Sequence, residues 1–428
     1  MSQIKLFVLS GLFLMCAQAL DNGLVLKPPM GWMSWTEFLC ETNCDAHPFS
    51  CISEDLYKAQ AEVLAHDGYL DAGYEFIHID DCWTESKRDP ETKRLVSDKK
   101  RFSSGIPALA DYIHSLGLKF GIYADLGTKT CMGLPGSIHY EKIDADTFAE
   151  WKVDYLKLDG CNSNEDEKAA GYPLFSKTLN ESGRSIVYSC SWPAYLDQEK
   201  VNYTVLGLYC NLWRDFDDIS NDWKEVWKII QHYIELQDLR AETQGPGKWH
   251  DPDMLVIGNA GITEGMSRIQ LTVWSIWSAP LIMSNDLRTI TPEFKAILQN
   301  RDVIAVDQDP LGVFGKVVKK TDQLLYFLKK MTPNNGDDYS YAIAIINYSD
   351  KAVNASVPFG DFKLKSRGGY DLKCLWSGHQ LGHYTAKSTL NTRLPPLDAR
   401  LFKATIRQTL NEKQLKTLRE SFAVGNDF

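Results

Sequence analysis

The sequence predicts an α/β protein: a (β/α)8 TIM barrel followed by a C-terminal antiparallel β-sandwich domain. Between about residues 25 and 290, short β-rich apolar runs alternate with segments of helical periodicity, which is typical of parallel βα units. A glycine-rich phosphate loop, which would favour an open doubly wound sheet, is missing from this region, so the barrel is favoured. After residues 309–312 (DPLG), alternating runs at 324–329 and 339–348, separated by a turn at 333–336, predict antiparallel strands.

Eight strand candidates precede residue 290. The two clearest, residues 119–125 (KFGIYAD) and 153–159 (VDYLKLD), follow segments with helical spacing at 106–116 and 145–151. Gly117 supplies a C-cap to the first of these helices. The remaining strand candidates are residues 30–35, 74–80, 185–189, 205–213, 254–257 and 281–284.

The first residues have the form of a secretory signal. Lys5 precedes an apolar run at 6–16, and Ala17-Gln18-Ala19 has the small-x-small pattern of a cleavage site. The run is shorter than the ~20 residues of a spanning helix, and no later segment is long and uncharged enough to cross a membrane. A lysosomal or secreted location is therefore expected. The predicted segments are a signal peptide at 1–20, a catalytic barrel at 21–309, an antiparallel β domain at 310–406 and a tail at 407–428.

Composition excludes one class of partner and indicates an oxidising environment. The formal net charge of −10 argues against nucleic acid, because phosphate binding depends on clustered Lys and Arg. Removal of Cys16 with the signal leaves nine cysteines, for which disulfides are expected and zinc binding is the alternative. The odd count predicts one free thiol, with the distant Cys374 the candidate. Four glycosylation sequons agree with secretion: Asn180, Asn202, Asn347 and Asn354.

Acidic residues follow several of the predicted strands. Barrel enzymes build their sites at the C-terminal ends of strands, so these carboxylates should converge on one mouth; the alternative for each is a helix cap. Within 153–159, strand alternation points both Lys157 and Asp159 into the barrel. Such a pair is either a structural ion pair or an aspartate kept ionised as a nucleophile. The strand-end carboxylates are Asp80, Asp81, Asp125, Asp159, Asp217 and Asp218.

Seven motifs occur in order along most of the chain. They are GWMSW (31–35), HIDDCW (78–83), GIYADLGTKTC (121–131), KLDGC (157–161), SCSWPAY (189–195), NLWRDFDDI (211–219) and DPDM (251–254). Together they resemble glycoside hydrolase family 27, the α-galactosidases and α-N-acetylgalactosaminidases, and the likeness spans nearly all of residues 25–405. One such motif would be weak, whereas seven in sequence are highly specific.

This resemblance implies a retaining glycosidase that acts by double displacement. It matches Asp159 to the nucleophile and Asp218 to the acid/base, roles that require two carboxyl groups ~5–5.5 Å apart. Asp217 departs from those relatives that have a neutral residue there; adjacent positions in an extended chain point apart, which favours Asp218. If both carboxylates shared the site, their repulsion would raise one pKa. No metal or organic cofactor is implied, and the family suggests a homodimer.

The resemblance also implies the contacts to the sugar. Asp80 and Asp81 are expected to bind the 4- and 6-hydroxyls, and Asp253 is expected near the 2-position. Trp35 is expected to pack against the ring, although a single Trp can equally be a core residue. Further substrate-binding residues are Tyr123, Cys131, Lys157, Cys161, Ser191, Ala194, Tyr195 and Arg214. The implied disulfides join Cys40 to Cys82, Cys44 to Cys51, Cys131 to Cys161, and Cys190 to Cys210, leaving Cys374 unpaired.

Two residues depart from the family pattern near the expected acid/base. His250 precedes DPDM where relatives usually have Asn, and Asp215 replaces a common Asn. We expect these changes to adjust pH dependence or substrate fit; the simpler interpretation of His250 is a hydrogen-bonded loop residue.

Ser191 and Ala194 indicate the sugar specificity. The α-galactosidases of the family have Glu and Leu at these positions, whereas the α-N-acetylgalactosaminidases have Ser and Ala. A small pair admits a 2-acetamido group, so terminal α-N-acetylgalactosamine is the expected substrate, with slower α-galactosidase activity. The alternatives are an α-galactosidase with drift at two positions and a lectin on the same scaffold. The lectin is disfavoured, because such proteins usually lose a catalytic carboxylate.

Overall fold

The protein is described here by a computed structural model, which covers residues 22–364 and 366–407. Eight short parallel strands form one curled sheet in which consecutive strands are neighbours. The sheet closes through Leu255, whose backbone N–H donates to the carbonyl of Ile282 (2.7 Å) and whose carbonyl accepts from the N–H of Ser284 (2.9 Å). The predicted barrel is confirmed. Its strands are β1 (Met30–Met33), β2 (Phe76–His78), β3 (Lys119–Asp125), β4 (Tyr155–Asp159), β5 (Val187–Cys190), β6 (Leu212–Arg214), β7 (Trp249–Asp251) and β8 (Leu281–Met283).

Helices cover the outside of the barrel. Local sequence fixes several helix starts: Asn164 and Glu167 form a capping box at α6, and Asp222 caps α8 by accepting from the N–H of Lys224. The helices are α1 (Trp35–Phe38), α2 (Glu54–His66), α3 (Tyr69–Ala72), α4 (Ile106–Ser115), α5 (Glu141–Glu150), α6 (Glu165–Glu181), α7 (Tyr203–Leu206), α8 (Trp223–Glu235), α9 (Gln237–Thr243), α10 (Glu264–Trp277), α11 (Pro292–Leu298) and α12 (Arg301–Asp307). Short 3-10 helices occur at Trp192–Tyr195, Gln198–Lys200 and Phe359–Phe362.

An apolar layer closes the N-terminal end of the barrel. Leu24 and Val25, in the segment before β1, pack against it from below. This end of the barrel is therefore packed core, and the polar side chains of the strands collect at the opposite, C-terminal end. The buried residues of the layer are Phe76, Tyr155, Val187, Leu212 and Trp249.

The C-terminal part is an antiparallel β-sandwich, as predicted. A six-stranded sheet (order β14-β13-β16-β11-β10-β9) faces a two-stranded sheet of β12 and β15. Ile343 and Ile345 of the larger sheet share a buried cluster with Val357 and Leu390 of the smaller one. The strands are β9 (Lys316–Lys320), β10 (Leu324–Asn335), β11 (Asp338–Asn347), β12 (Val353–Pro358), β13 (Tyr370–Cys374), β14 (Gln380–Tyr384), β15 (Thr389–Leu394) and β16 (Asp398–Ile406).

Two predicted strands were misplaced. The seventh was predicted at residues 254–257, but β7 is Trp249–Asp251, whose His and Asp give no apolar run to recognise. The sixth was predicted at 205–213, where residues up to Leu206 belong to α7 and only Leu212–Arg214 form the strand. In both places polar side chains face the inside of the barrel, which removes the hydrophobic pattern.

The structure contains four disulfides, between the same cysteines that the resemblance implies. They join Cys40 to Cys82, Cys44 to Cys51, Cys131 to Cys161, and Cys190 to Cys210. Cys374 is a buried free thiol, as the odd count predicts.

One predicted glycosylation site requires correction. Asn347 is fully buried, and its amide nitrogen donates to the carbonyls of Lys351 (2.7 Å) and Pro395 (2.6 Å). A glycan would replace one hydrogen of that nitrogen, and so break one of the two bonds, and would need space that the buried side chain does not have, so the sequon is incompatible with this fold. Asn180, Asn202 and Asn354 are exposed.

Two predictions fall outside the described residues, and a third is not tested by the structure. The signal peptide at 1–20 and the helical spacing at 410–422 lie outside the described residues. The division of the chain at residue 309 stays a prediction. Among the described residues, no helix is long and apolar enough to cross a membrane.

Candidate active site

Strand β4 brings charged groups into the barrel mouth. Tyr155 lies in the apolar layer, and the alternation places Lys157 and Asp159 above it on the same side. Lys157 is buried and its Nζ lies 2.7 Å from Oδ2 of Asp80, which follows β2. Burial opposes the charge on Lys157, but Asp80 and Asp159 outweigh burial and raise its pKa. The ammonium group therefore remains charged beside both carboxylates.

Two phenols from neighbouring strands bind the carboxylate of Asp159. The hydroxyl of Tyr195, in the 3-10 helix after β5, donates to Oδ1 at 2.5 Å, and that of Tyr123 on β3 donates to Oδ2 at 3.2 Å. Burial, followed by the charge of Asp159, raises the pKa of both phenols, so both remain protonated donors. The two donors fix the carboxylate and stabilise its negative charge.

Asp218 lies at the other side of the mouth and is paired with Arg214. Its Oδ1 is 2.8 Å from Nη2 of Arg214 at the end of β6. Asp217 pairs with Lys228 of α8 at 2.6 Å. The two adjacent carboxylates therefore have different cationic partners, although both line the same cavity. Arg214 lowers the pKa of Asp218, with Lys157 contributing in the same direction.

Arg214 also binds Asp253 after β7. Its Nη1 lies 2.9 Å from Oδ2 of Asp253, which is buried and also accepts from the backbone N–H of Ile219 at 2.9 Å. Burial raises the pKa of Asp253, although Arg214 acts in the opposite direction. One guanidinium therefore links the carboxylates that follow β6 and β7.

A cavity of about 180 Å³ contains both expected catalytic carboxylates. Phe216 was not singled out from the sequence, although its position between Arg214 and Asp218 was the available signal. The ring of Phe216 stacks on the ring of His232, with 3.7 Å between the ring centroids. This contact holds Phe216 at the cavity wall. The lining residues are Asp159, Ser191, Ala194, Tyr195, Arg214, Phe216, Asp217 and Asp218.

Two further predicted contacts, Trp35 and Asp81, are not among the lining residues of this cavity. Trp35 is half-buried at the start of α1, directly after β1, and packs against the main core. Asp81 is buried and accepts backbone hydrogen bonds from Cys82 (2.6 Å) and Met132 (3.1 Å). Burial raises the pKa of Asp81.

The Cys131–Cys161 disulfide forms part of the wall beside Asp159. The sulfur of Cys131 lies 3.6 Å from Oδ2 of Asp159, and the sulfur of Cys161 lies 3.3 Å from the hydroxyl of Tyr195. Asp125, Cys131 and Cys161 are the one group of potential metal ligands found in the part of the chain that the structure describes. Both sulfurs are committed to the disulfide and are not thiolates, so this group is a poor metal site.

Asp125 is a further buried acid next to the expected nucleophile. Its oxygens accept from the backbone N–H groups of Gly127 (2.7 Å) and Cys161 (3.0 Å). Burial, followed by repulsion from Asp159, raises the pKa of Asp125 to about 8. The sequence placed this residue at a strand end but gave it no role; the structure shows that it holds the disulfide loops in place.

Comparison with known proteins identifies the family of this chain. The family model described as alpha galactosidase A (Melibiase_2) matches residues 27–309. The chain belongs to this family of glycoside hydrolases, glycoside hydrolase family 27.

Relatives with two different activities are almost equally similar. The chain is 51% identical over 317 residues to an alpha-N-acetylgalactosaminidase of Gallus gallus, covering 73% of this chain and 78% of that protein. It is 49% identical over 333 residues to alpha-galactosidase A of Homo sapiens, covering 77% of this chain and 76% of that protein. Among solved structures, alpha-galactosidase I from Mortierella vinacea superposes with a TM-score of 0.80 at 29% identity, covering 91% and 99% of the two chains.

Proposed function

We propose that the protein is a retaining exo-α-N-acetylgalactosaminidase that removes terminal α-N-acetylgalactosamine from glycoproteins, glycolipids or oligosaccharides, and α-galactose more slowly. The observation that carries the proposal is that Ser191 and Ala194 line the same cavity as Asp159 and Asp218. Both side chains are small, so the cavity has room for an acetamido group. The Ser191 hydroxyl is available to the amide, and Ala194 leaves an apolar space for the methyl.

Asp159 is the nucleophile of the proposed first step. Its carboxylate attacks the anomeric carbon while the carboxyl group of Asp218 donates its proton to the leaving oxygen, which gives a glycosyl-enzyme ester and the free aglycone. The hydrogen bonds from Tyr195 and Tyr123 support this role, because they hold the attacking oxygens in one orientation.

Asp218 exchanges roles in the second step. Its carboxylate accepts a proton from water, the water oxygen attacks the anomeric carbon, and the ester to Asp159 breaks with overall retention of configuration. The ion pair with Arg214 lowers the pKa of Asp218, which suits the base role and requires acidic conditions for the acid role. We therefore expect an acidic pH optimum.

The sugar is held by the polar groups around the cavity. In this proposal Asp80 and Asp81 accept from the 4- and 6-hydroxyls, Asp253 lies near the 2-position, and Trp35 packs against the ring. Lys157 completes the contacts as a charged donor beside Asp80. A site built to bond an axial 4-hydroxyl penalises a glucose-type sugar, because those groups would be left unpaired.

The competing activity is that of an α-galactosidase. Overall identity does not separate the two, because the relatives of each kind are 51% and 49% identical to this chain. Purified protein should show a higher kcat/KM on an aryl α-N-acetylgalactosaminide than on the matching α-galactoside. Asp159→Asn, prepared in parallel, controls for contaminating glycosidases. A preference for the galactoside would reject the specificity, and a lectin would release no sugar from either substrate.

The remaining parts of the proposal concern location, assembly and organisation. Four disulfides favour an oxidising compartment, so we infer a lysosomal or secreted protein whose signal peptide is removed. N-terminal sequencing of the mature protein tests the removal of the signal peptide. We also infer that the protein is a homodimer, which light scattering tests, and that catalysis resides in residues 21–309.

A further inference from the structure

A buried cluster of charged groups lies behind the acid/base segment, outside the sugar cavity. Asp215 is fully buried, and its Oδ2 lies 2.9 Å from Nδ1 of His250 and 3.2 Å from Nη2 of Arg240 on α9. The hydroxyl of Tyr203 on α7 donates to the same oxygen at 3.2 Å. Asp215 and His250 both depart from the family pattern, and the structure brings them into direct contact.

The contact joins the two strands that carry the acid/base machinery. In the register of β6 and β7, Trp213 lies opposite His250 and Arg214 opposite Asp251. Because side chains alternate along a strand, Arg214 faces the barrel while Asp215 and Trp213 face the helices. The cluster thus fixes, from behind, the backbone that presents Arg214 to Asp218.

The segment from Asp215 to Asp218 has two further anchors. The side-chain amide of Gln198 donates to the carbonyl of Asp215 at 2.7 Å. Nη2 of Arg214 donates to the carbonyls of Phe216 (3.2 Å) and Asp217 (3.1 Å). A shift of Asp215 would therefore move the loop on which Asp218 lies.

The charges in the cluster favour an ionised aspartate. Burial opposes ionisation of Asp215, but Arg240, followed by His250, lowers its pKa below the usual value. Burial lowers the pKa of His250, against the pull of Asp215. Nε2 of His250 lies 3.0 Å from Oγ1 of Thr243. The other titratable groups that face the cluster are Tyr203 on α7 and His232 and Tyr233 on α8, whereas Asp251 on β7 faces the barrel with Arg214.

We propose that Asp215 and His250, with Arg240 behind them, are positioning residues for the proton donor: their contact locks β6 to β7 and keeps Arg214 on Asp218. The inference rests on the proposed function, because it assigns these residues a role in the acid/base step. The competing interpretation is an ordinary buried ion pair that only stabilises the barrel. The two differ in whether the ionisation of Asp218 responds when the cluster is changed.

The test compares Asp215→Asn, His250→Asn and the double variant with a matched control, Asp144→Asn. Asp144 is also a fully buried carboxylate paired with an arginine, Arg88 at 2.6 Å, but it lies on α5 and lines no part of the sugar cavity. Thermal midpoints and the pH dependence of kcat and kcat/KM are measured for all four variants and the unaltered enzyme.

Each single variant in the cluster should lower kcat more than it changes KM. It should also move the basic limb of kcat/KM to higher pH by about half a unit or more, because a loosened Arg214 no longer holds the pKa of Asp218 down. In the double variant, kcat and the basic limb of kcat/KM should differ from those of the unaltered enzyme by less than the sum of the two single-variant effects. The reason is that two amide side chains can still hydrogen-bond across the strands. Asp144→Asn should lower only the thermal midpoint.

The proposal is overturned if Asp215→Asn and His250→Asn lower the thermal midpoint and leave the basic limb in place, as the control does. If these variants fail to fold, Tyr203→Phe is tested in their place, because it removes one hydrogen-bond donor to Asp215. A smaller shift of the basic limb of kcat/KM to higher pH supports the proposal, and an unmoved limb rejects it. The proposed function is judged separately, by the turnover of the unaltered enzyme in the same assay.

Discussion

Asp218 is the residue whose protonation the site controls most directly. A proton donor must carry its proton at the working pH, and the guanidinium of Arg214 at 2.8 Å favours the ionised form. In the proposed mechanism, Arg214 positions the carboxyl group of Asp218 but also lowers its pKa, so the proton donor is favoured by acidic conditions. The neighbouring Asp217 also lines the cavity, but it pairs with Lys228 at 2.6 Å.

Arg214→Gln should raise the pKa of Asp218 and move the basic limb of kcat/KM to higher pH. The sign follows because an acid with a lowered pKa loses its proton early as pH rises, and removal of the cation delays that loss. The pH profile of kcat/KM on an aryl α-glycoside measures the shift. Lys228→Gln is the matched control, since it removes a cation from Asp217 and should leave the limb unmoved. An unshifted limb in Arg214→Gln would mean that Asp218 is not the group that titrates.

The 3-10 helix Trp192–Tyr195 brings together the residues that we propose for specificity and for the attack. Ser191 precedes this helix, Ala194 lies within it, and Tyr195 at its end donates to Asp159. A single short element therefore places the two small residues beside the proposed nucleophile.

Ser191→Glu together with Ala194→Leu should shift preference from N-acetylgalactosamine toward galactose. The larger side chains fill the space for the acetamido group, and such a change in pocket fit is worth ~1–3 kcal/mol, or roughly 10–200-fold in the ratio of kcat/KM values. The ratio on the paired aryl glycosides measures the effect. Ser176→Ala, on α6 and outside the cavity lining, controls for general damage. An unchanged ratio in the double variant would remove the steric explanation.

Sequence predicted those elements whose apolar pattern is uninterrupted. Strand β3 occupies Lys119–Asp125 as predicted, and alternation along β4 correctly directed Lys157 and Asp159 to the same side. Strand prediction from the sequence failed at β7, because Trp249–Asp251 carries polar side chains whose partners are present only in the folded barrel. The contact of Asp215 with His250 was equally inaccessible, since the residues are distant in sequence and their burial depends on α7 and α9.

The barrel and the β-sandwich are joined by a buried lysine. Lys329 of β10 donates to the carbonyls of Ser275 (2.9 Å) and Val306 (2.6 Å) and to the hydroxyl of Ser278 (2.6 Å). These acceptors lie at the C-terminal ends of α10 and α12, where a cation is favourable. Burial lowers the pKa of Lys329 to about 8, although Asp307 acts in the opposite direction.

Lys329→Met should lower the free energy of unfolding by at least ~2 kcal/mol, because buried acceptors lose a charged donor and no water can replace it. Denaturant unfolding measures the change. Lys330→Met, at the exposed neighbouring position of the same strand, is the control and should change stability by less than about 0.5 kcal/mol. Equal effects of the two substitutions would show that the buried contact does not join the two parts.

Asp125 should make the folded protein lose stability as pH rises. Its pKa is raised to about 8 in the fold, against about 4 in an unfolded chain. Below pH ~4 both states are protonated and there is no cost; between pH ~4 and ~8 the unfolded chain ionises more readily, so stability falls. Asp125→Asn removes this titration, and its thermal midpoint should fall less than that of the unaltered protein between about pH 5 and about pH 7.5. Parallel losses in both proteins would contradict the assignment.

The central claim is that Asp159 and Asp218 flank one anomeric centre in the mouth of the barrel. Trapping with a fluorinated galactosyl fluoride, followed by mass spectrometry of the labelled peptide, tests it most directly, because the covalent intermediate marks the attacking oxygen. A single sugar attached to Asp159 is the predicted result, with no label in Asp159→Asn. A label on another carboxylate, or turnover of the reagent with inverted configuration and no covalent intermediate, would contradict the account.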